Sequence, residues 1–209
     1  MIPNLKSLIL SGESETLDFK NTISNSYKIA KTLCAFANNK GGILLIGVRD
    51  DGSIKGVKEE EEEKYMLEKA ANQYCKPVID LKYEEATLDD KLILIVTVPT
   101  SDDKPYYSID EDQNWWAYIR IKDKSVLASS VLLEVLKNRD KVIKITYNSE
   151  EKKLFHYLES NQSISLNEYS KLTRLSNKKA IKILSDLIIA GVLVPIDSGI
   201  QERYVQIQQ

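Results

Sequence analysis

One continuous stretch, from Glu13 to Val57, constrains the fold of this chain more than any other part of it. Alternating apolar and polar residues at 17–20 predict a strand, and apolar residues at helical spacing within 26–38 predict an amphipathic helix. The glycine pair at 41–42 is typical of a helix end. The unbroken apolar run at 43–48 indicates a strand that is covered on both faces. The stretch therefore predicts a strand, a helix and a central strand of an α+β domain.

Three acidic side chains, Glu13, Asp18 and Asp50, lie at the edges of these predicted strands. Clustered carboxylates bind Mg²⁺ or Mn²⁺, which activates water and stabilises phosphoryl charge. One interpretation is therefore a catalytic metal site. The alternative is that Glu13 and Asp18 pair with Lys20 or accept hydrogen bonds from the local backbone. Arg49, which stands beside Asp50, counts against catalysis.

The stretch resembles the AlbA-type domain of the Schlafen family. The family pattern runs roughly E-x4-[ED]-F-K, A-F-A-N-x-x-G-G, I-G-V, D-G and G-V, followed later by P-Y-Y and Y-x-R. The matching positions are Glu13, Asp18-Phe19-Lys20, Ala35-Phe36-Ala37-Asn38, Gly41-Gly42, Ile46-Gly47-Val48, Asp51-Gly52, Gly56-Val57, Pro105-Tyr106-Tyr107 and Tyr118-Ile119-Arg120. The resemblance covers roughly residues 2–135.

The resemblance implies a nucleic-acid-binding module. Many bacterial members are described only as DNA-binding or transcriptional regulatory proteins, and for that function we expect no cofactor. Animal members include RNA-cleaving enzymes with three acidic residues, two of them at the positions of Glu13 and Asp18. The resemblance thus also implies an alternative, a Mg²⁺- or Mn²⁺-dependent endoribonuclease with Glu13, Asp18 and Asp50 as catalytic residues and metal ligands. No Walker-type phosphate loop supports the ATPase label that some relatives have carried.

Charge and cysteine content narrow the function classes. The net charge is -2, so any nucleic-acid binding must come from local basic patches rather than from the chain as a whole. Cys34 and Cys75 form no C-x-x-C pattern, which favours two buried thiols in a reducing compartment. No segment approaches the roughly 20 apolar residues of a membrane span. We therefore expect a soluble, cytoplasmic protein.

A different pattern follows the first domain. We predict a Schlafen/AlbA-like domain over 1–138, a polar linker over 139–150 and a second domain over 151–209. The second domain has three predicted helices followed by two strands, which resembles the winged helix-turn-helix domains of bacterial transcription regulators. Its predicted elements are helices at 153–160, 166–173 and 177–190 and strands at 192–196 and 203–207, joined by a turn at 197–199. The predicted fold class is α+β, a mixed sheet with packed helices plus a C-terminal winged helix.

The third helix of a winged helix usually enters the DNA major groove. Ala180 and Leu184 belong to its predicted buried face. The opposite, solvent-facing side carries several basic residues. The candidate DNA contacts in this domain are Arg174, Asn177, Lys178, Lys179, Lys182 and Arg203. The alternative is that these lysines are ordinary solvated surface.

In the first domain, Lys20, Arg120 and Lys122 are predicted to line a basic strand face. Three nearby tyrosines at 106, 107 and 118 either stack on bases there or pack in the core. Together these observations favour a DNA-binding transcriptional regulator. Its expected partner is DNA, or RNA. We also expect a homodimer, since many DNA sites have dyad symmetry. The alternatives are the endoribonuclease and a protein-interaction or dimerisation module without catalysis.

Overall fold

The computed structural model describes residues 5–144, 147–197 and 202–207, and it shows an α+β protein. The chain divides into two compact units, the first ending at Leu127 and the second beginning at Ala128. None of the helices in the described part of the chain has the length and hydrophobicity that crossing a membrane requires.

The first unit contains two four-stranded sheets, in the strand orders β1-β2-β5-β4 and β3-β6-β7-β8. β1 and β2 are parallel and the other pairs are antiparallel, so the first sheet is mixed. The elements are α1 (Leu5–Leu10), β1 (Leu17–Lys20), α2 (Ser26–Asn38), β2 (Gly42–Ile46), α3 (Glu60–Gln73), β3 (Cys75–Lys76), β4 (Lys82–Leu88), β5 (Lys91–Val98), β6 (Tyr107–Ile109), β7 (Trp115–Ile121) and β8 (Lys124–Leu127).

The strand β2 is buried on both faces, as its unbroken apolar run predicts. Leu44 and Ile46 lie in a core cluster with α2 and α3, whereas Leu45 lies in a second cluster with α1 and β1. All three side chains are fully buried. The short strands β3, β6 and β8 were not predicted. β3 and β6 have only two and three residues, and the sequence of β8, Lys124–Leu127, does not alternate between polar and apolar residues.

The glycine pair after α2 has a steric reason. Gly41 has a φ of +73°, and a Cβ there would lie 2.6 Å from the carbonyl oxygen of Val98. A Cβ at Gly42 would meet the ring of Phe36. The helix end therefore packs directly against β5, which only glycine permits.

The composition of the acidic run Glu59–Glu63 at the start of α3 indicates a helical turn that is exposed to solvent. One of its residues is buried instead. Glu63 is 8% exposed and accepts a hydrogen bond from the Ile23 amide at 2.7 Å and another from the Thr22 hydroxyl. Cys34 and Cys75 are both buried, as predicted, and they form no disulfide.

The second unit contains α4 (Ser130–Asn138), α5 (Ser149–Ser160), α6 (Leu166–Thr173), α7 (Asn177–Ile189), β9 (Leu193–Asp197) and β10 (Glu202–Gln206). The two strands are antiparallel, and Tyr204 of β10 also forms a bridge with Ile164. The core of the second unit includes Leu154, Tyr169 and Leu184. The predicted turn at 197–199 lies largely outside the described residues.

The boundary between the units differs from the predicted one. The predicted first domain, 1–138, included the residues of α4, but Val131 of α4 is fully buried in the core of the second unit and α4 packs against α7. The predicted linker, 139–150, also contains the start of α5. Asn148 and Glu151 form a capping box there, which begins the helix at Ser149.

Candidate functional site

The carboxylate of Asp18 lies inside the first unit, with 4% of the residue exposed. Its Oδ1 accepts a hydrogen bond from Arg120 Nη1 at 3.2 Å, and Lys20 Nζ lies 2.6 Å from its Oδ2 as an ion pair without hydrogen-bond alignment. Two cations therefore face the two oxygens of this one carboxylate.

Arg120 is not on the surface, which corrects its assignment as a nucleic-acid contact. The residue is 4% exposed, and its guanidinium lies 4.8 Å from the centre of the Phe36 ring. Nη2 also donates to the carbonyl of Ser14 at 2.8 Å, and Nη1 donates to Ser125 Oγ at 3.2 Å. Arg120 thus neutralises Asp18 and joins β7 to the chain before β1, where a phosphate cannot reach it.

Glu13 accepts a hydrogen bond at Oε1 from the Phe19 amide at 2.7 Å. Partial burial raises the pKa of Glu13, the Phe19 amide opposes that shift, and the charges of Asp18 and Asp50 add to it. The three predicted carboxylates therefore lie within electrostatic reach of one another.

These carboxylates nevertheless do not fit a divalent cation. Among the described residues, no group of three or more His, Cys, Asp or Glu side chains is placed to hold a metal ion. Asp18 already faces Arg120 and Lys20, and Glu13 holds the backbone of β1. The expected metal set of Glu13, Asp18 and Asp50 is thus replaced by an ion pair and a backbone contact.

Asp50 lies on the surface beside Asn21, Arg49 and Asp51 in a shallow depression of about 390 Å³. Arg49 donates to Ser53 Oγ at 3.0 Å within the turn. The depression is the exposed part of the predicted acidic site.

The predicted basic strand face of the first unit is not assembled. Lys20 is engaged by Asp18, Arg120 is internal, and Lys122 is exposed at the β7–β8 turn with a φ of 55°. Tyr106 is buried, and its hydroxyl lies 2.7 Å from Ser101 Oγ, so for this residue the core alternative holds. Tyr118 faces the ammonium of Lys31 at 5.6 Å.

Asn38, which belongs to the motif, connects α2 to the second sheet. Its Nδ2 donates to the carbonyls of Tyr106 and Tyr118, each at 2.8 Å, and its Oδ1 accepts from the Tyr106 amide at 2.7 Å. The side chain is buried. Asn38 therefore satisfies backbone groups that would otherwise be buried without partners.

The helix α7 carries three of the exposed basic residues of the second unit. Lys178, Lys179 and Lys182 are all exposed, and Ala180 and Leu184 face the core as predicted. Lys182 Nζ lies 2.7 Å from both carboxylate oxygens of Asp186. Lys178 and Lys179 are thus the more available cations.

The other residues of the second unit that were predicted to contact DNA differ in how far they are exposed to a ligand. Arg174 is exposed in the left-handed conformation at the end of α6, and Asn177 accepts from Ser170 Oγ at 3.2 Å. The guanidinium of Arg203 donates to Glu168 at 2.8 Å and to Ser163 Oγ at 2.7 Å. Arg203 therefore fastens β10 to α6, which corrects its assignment as a DNA contact.

A groove of about 870 Å³ runs between α4 and α7. Its floor includes Leu133, Ile181 and Ile183, and lysines of both helices line it. This groove was not predicted, because the residues of α4 were predicted to belong to the first domain.

An aromatic cleft of about 420 Å³ in the first unit was also missed. Its walls are Lys76, Pro77, Asp103, Pro105, Tyr107 and Trp115. The adjacent tryptophans and the P-Y-Y motif were the available signals, but the pairing of β3, β6 and β7 that brings them together was not predicted.

A family model described as Schlafen, AlbA_2 matches residues 13–129, more than half of the 209-residue chain. The chain belongs to the Schlafen AlbA_2 family. In this family member, the motif residues Asp18, Asn38 and Arg120 are buried and hold the first unit together. No curated protein matches the chain significantly.

Two solved structures are similar to this Schlafen AlbA_2 protein. One is the DIP2311 protein from Corynebacterium diphtheriae, with a TM-score of 0.50 and 14% identity, over 97% of this chain and 37% of that one. This chain therefore spans well under half of DIP2311. The other is the N-terminal domain of a RecG-related protein from Nitrosomonas europaea, named as a putative ATP-dependent DNA helicase. It has a TM-score of 0.45 and 20% identity, over 70% of this chain and 99% of that one.

Proposed function

We propose that this Schlafen AlbA_2 protein binds nucleic acid, and that its second unit is a winged helix that binds duplex DNA through α7. The observation that carries the proposal is the pair of exposed lysines, Lys178 and Lys179, in the first turn of α7. In a helix-turn-helix, the N-terminal residues of the second helix contact DNA.

The connection into α7 supports this assignment. α6 ends at Thr173 and α7 begins at Asn177, so three residues join the helices, and Arg174 makes the turn at a φ of 59°. Such short connections are typical of helix-turn-helix motifs. The antiparallel pair β9–β10 follows α7 at the position of a wing. The positive end of the α7 dipole also favours a phosphate near Lys178.

The wider proposal is a transcriptional regulator that acts as a homodimer. Two copies related by a dyad would place two α7 helices on a palindromic site. Light scattering at micromolar concentration should give about twice the 23.8 kDa chain mass. A chain that stays monomeric when bound to its DNA site would contradict the dimer.

The groove between α4 and α7 favours a second candidate, a protein-interaction module without catalysis. Its floor is apolar, which DNA does not require, and its edges carry Lys137, Lys178 and Lys179. An acidic amphipathic segment of a partner protein would match both features. Leu133→Asp should abolish binding of such a segment, whereas binding of DNA through the lysines would persist.

Metal-dependent RNA cleavage has less support, because the three carboxylates do not form a metal-holding group. We expect the purified chain with Mn²⁺ to leave structured RNA intact. Cleavage that is lost in Glu13→Gln without unfolding would reverse this ranking.

The decisive experiment changes the charge of α7. The triple variant Lys178→Glu, Lys179→Glu and Lys182→Glu should lose binding to duplex DNA, measured by fluorescence anisotropy. The matched control reverses three exposed lysines of the first unit, Lys55, Lys82 and Lys124, and changes the net charge equally. If both triple variants lose the same affinity, overall charge rather than α7 explains the binding.

A further inference from the structure

We propose that the aromatic cleft of the first unit binds one unpaired base of single-stranded nucleic acid. This inference rests on the proposed nucleic-acid-binding function and adds a second site and a substrate class to it. The cleft lies on the β3-β6-β7 sheet and is formed by Lys76, Pro77, Asp103, Pro105, Tyr107 and Trp115.

Strand register brings the two aromatic rings together. Tyr107 of β6 pairs with Ala117 of β7, so Trp115, two residues before Ala117, lies on the same face of the sheet. Lys76 of β3 pairs with Tyr107 and shares that face. Diagonal neighbours on adjacent strands are within reach of aromatic side chains. The pairing therefore places a tryptophan, a tyrosine and a lysine side by side.

The Trp115 ring is exposed and Tyr107 is half-buried. Trp115 is 42% exposed, although large apolar side chains are usually covered. The cleft of about 420 Å³ falls within the range of sites for small ligands, roughly 300–1,000 Å³. Pro77 and Pro105 complete its apolar walls. Apolar and aromatic walls of this kind favour a flat heteroaromatic group.

The polar groups of the cleft match a nucleotide. Exposed aromatic rings stack on bases of any sequence, and a neighbouring cation contacts the backbone. Lys76 supplies that cation. The Asp103 carboxylate is an acceptor, and carboxylates accept from the exocyclic amino group of cytosine. The cleft should therefore prefer a cytosine to a thymine or uracil.

A base inside a duplex cannot enter the cleft, because both of its faces are already stacked and its pairing edge is occupied. The cleft therefore recognises single strands, which distinguishes it from the duplex contacts proposed for α7. A proline-rich peptide also docks on aromatic grooves. It has no phosphate to pair with Lys76, so it would use fewer of the groups that line the cleft than a nucleotide does.

The chain provides a matched control in the neighbouring residue. Trp116 is also 42% exposed, but it pairs with Ser108 on the opposite face of the sheet, and its Nε1 donates to Asp110 Oδ2 at 2.8 Å. Trp115→Ala and Trp116→Ala therefore each remove a tryptophan side chain that is 42% exposed, but from opposite faces of β7.

The test is anisotropy of labelled ten-nucleotide single strands of dC or dT, titrated with the full chain. Removal of one stacking residue typically costs 1–3 kcal/mol. Trp115→Ala should therefore weaken binding of the dC strand at least fivefold, whereas Trp116→Ala should change it less than about twofold. Trp115→Phe, which keeps a ring, should retain most of the affinity, and Asp103→Asn should reduce the preference for dC over dT.

The outcomes separate this inference from the proposed function. Wild-type protein that binds neither duplex nor single strands would refute both. If the wild type binds duplex and single-stranded DNA, and both Trp115→Ala and Trp116→Ala bind the single strand as well as the wild type does, only the cleft is refuted. Binding of a proline-rich peptide that requires Trp115, with no effect of Trp115→Ala on single strands, would overturn the assignment of the ligand.

Discussion

The charged motif residues of the first unit and the lysines at the start of α7 in the second unit differ in exposure. In the first unit, Asp18 and Arg120 belong to the family motif and are each 4% exposed, bound to one another. In the second unit, Lys178 and Lys179 belong to no motif of that family and lie exposed at the start of α7. Asp18 and Arg120 thus support the fold of the first unit, whereas the duplex contacts proposed for α7 lie outside the family motif.

The largest expected effect tests the buried half of this comparison. Arg120→Ala leaves Asp18 buried with only Lys20 beside it, and breaking such a pair costs roughly 3–5 kcal/mol. Both tryptophans, Trp115 and Trp116, lie in the first unit, so tryptophan fluorescence during urea unfolding reports on that unit.

The control for Arg120 is Lys122→Ala, on the exposed turn two residues later. An exposed lysine should change the free energy of unfolding by less than about 0.5 kcal/mol. Similar small changes in both variants would show that the buried pair does not hold the first unit together.

The next effect tests the helix end at the glycine pair. Gly41 and Gly12 have φ values of +73° and +72°, but a Cβ at Gly12 would meet no atom within 4 Å, whereas one at Gly41 would strike β5. Gly12→Ala should cost about 1 kcal/mol for the left-handed backbone alone. Gly41→Ala should cost about 3 kcal/mol, because overpacking is added. Equal losses in urea unfolding would contradict the steric explanation.

A smaller effect is expected from single changes of the exposed lysines of α7, measured as the loss of affinity for duplex DNA. Lys178→Glu and Lys179→Glu should each weaken duplex binding roughly tenfold. Lys182→Glu should weaken it less, because Asp186 already engages Lys182 at 2.7 Å. Anisotropy titrations of the single variants provide the ranking, and a larger loss at Lys182 would show that its pair with Asp186 opens on DNA.

The smallest effect concerns the pH dependence of stability. Burial raises the pKa of Glu13 above its ordinary 4.5, so the folded protein holds this proton more tightly than the unfolded chain. The contribution of Glu13 to stability is therefore complete below pH 4.5 and is lost as the pH rises through the folded pKa. Glu13→Gln removes this dependence, and the variant should gain stability relative to wild type between pH 4.5 and pH 7. A difference between the two proteins that does not change with pH would contradict the raised pKa.

Much of the fold was predictable because its signals are local. The burial of β2 on both faces follows from a continuous apolar run, and the end of α2 shortly before Gly41 follows from a glycine pair. The α+β class and the inward face of α7 were also predicted correctly. The boundary between the units was not, because the apolar face of α4 does not reveal which core it joins.

The candidate site was less predictable, since it depends on contacts between residues far apart in the chain. The sequence marks Asp18 and Arg120 as polar and cannot show that they meet 3.2 Å apart in the interior. In the same way, Trp115 and Lys76 come together only through the pairing of β6 with two other strands. Exposure and partnership, rather than residue type, decide which of these groups is available to a ligand.

The salt dependence of duplex binding tests the central claim most directly. Each phosphate contact contributes about 0.9 to the slope of log affinity against log salt concentration. The account predicts that reversing Lys178, Lys179 and Lys182 lowers this slope by about two to three and leaves the tryptophan-monitored unfolding of the first unit unchanged. An unchanged slope and affinity in the triple variant would show that DNA is not bound through α7.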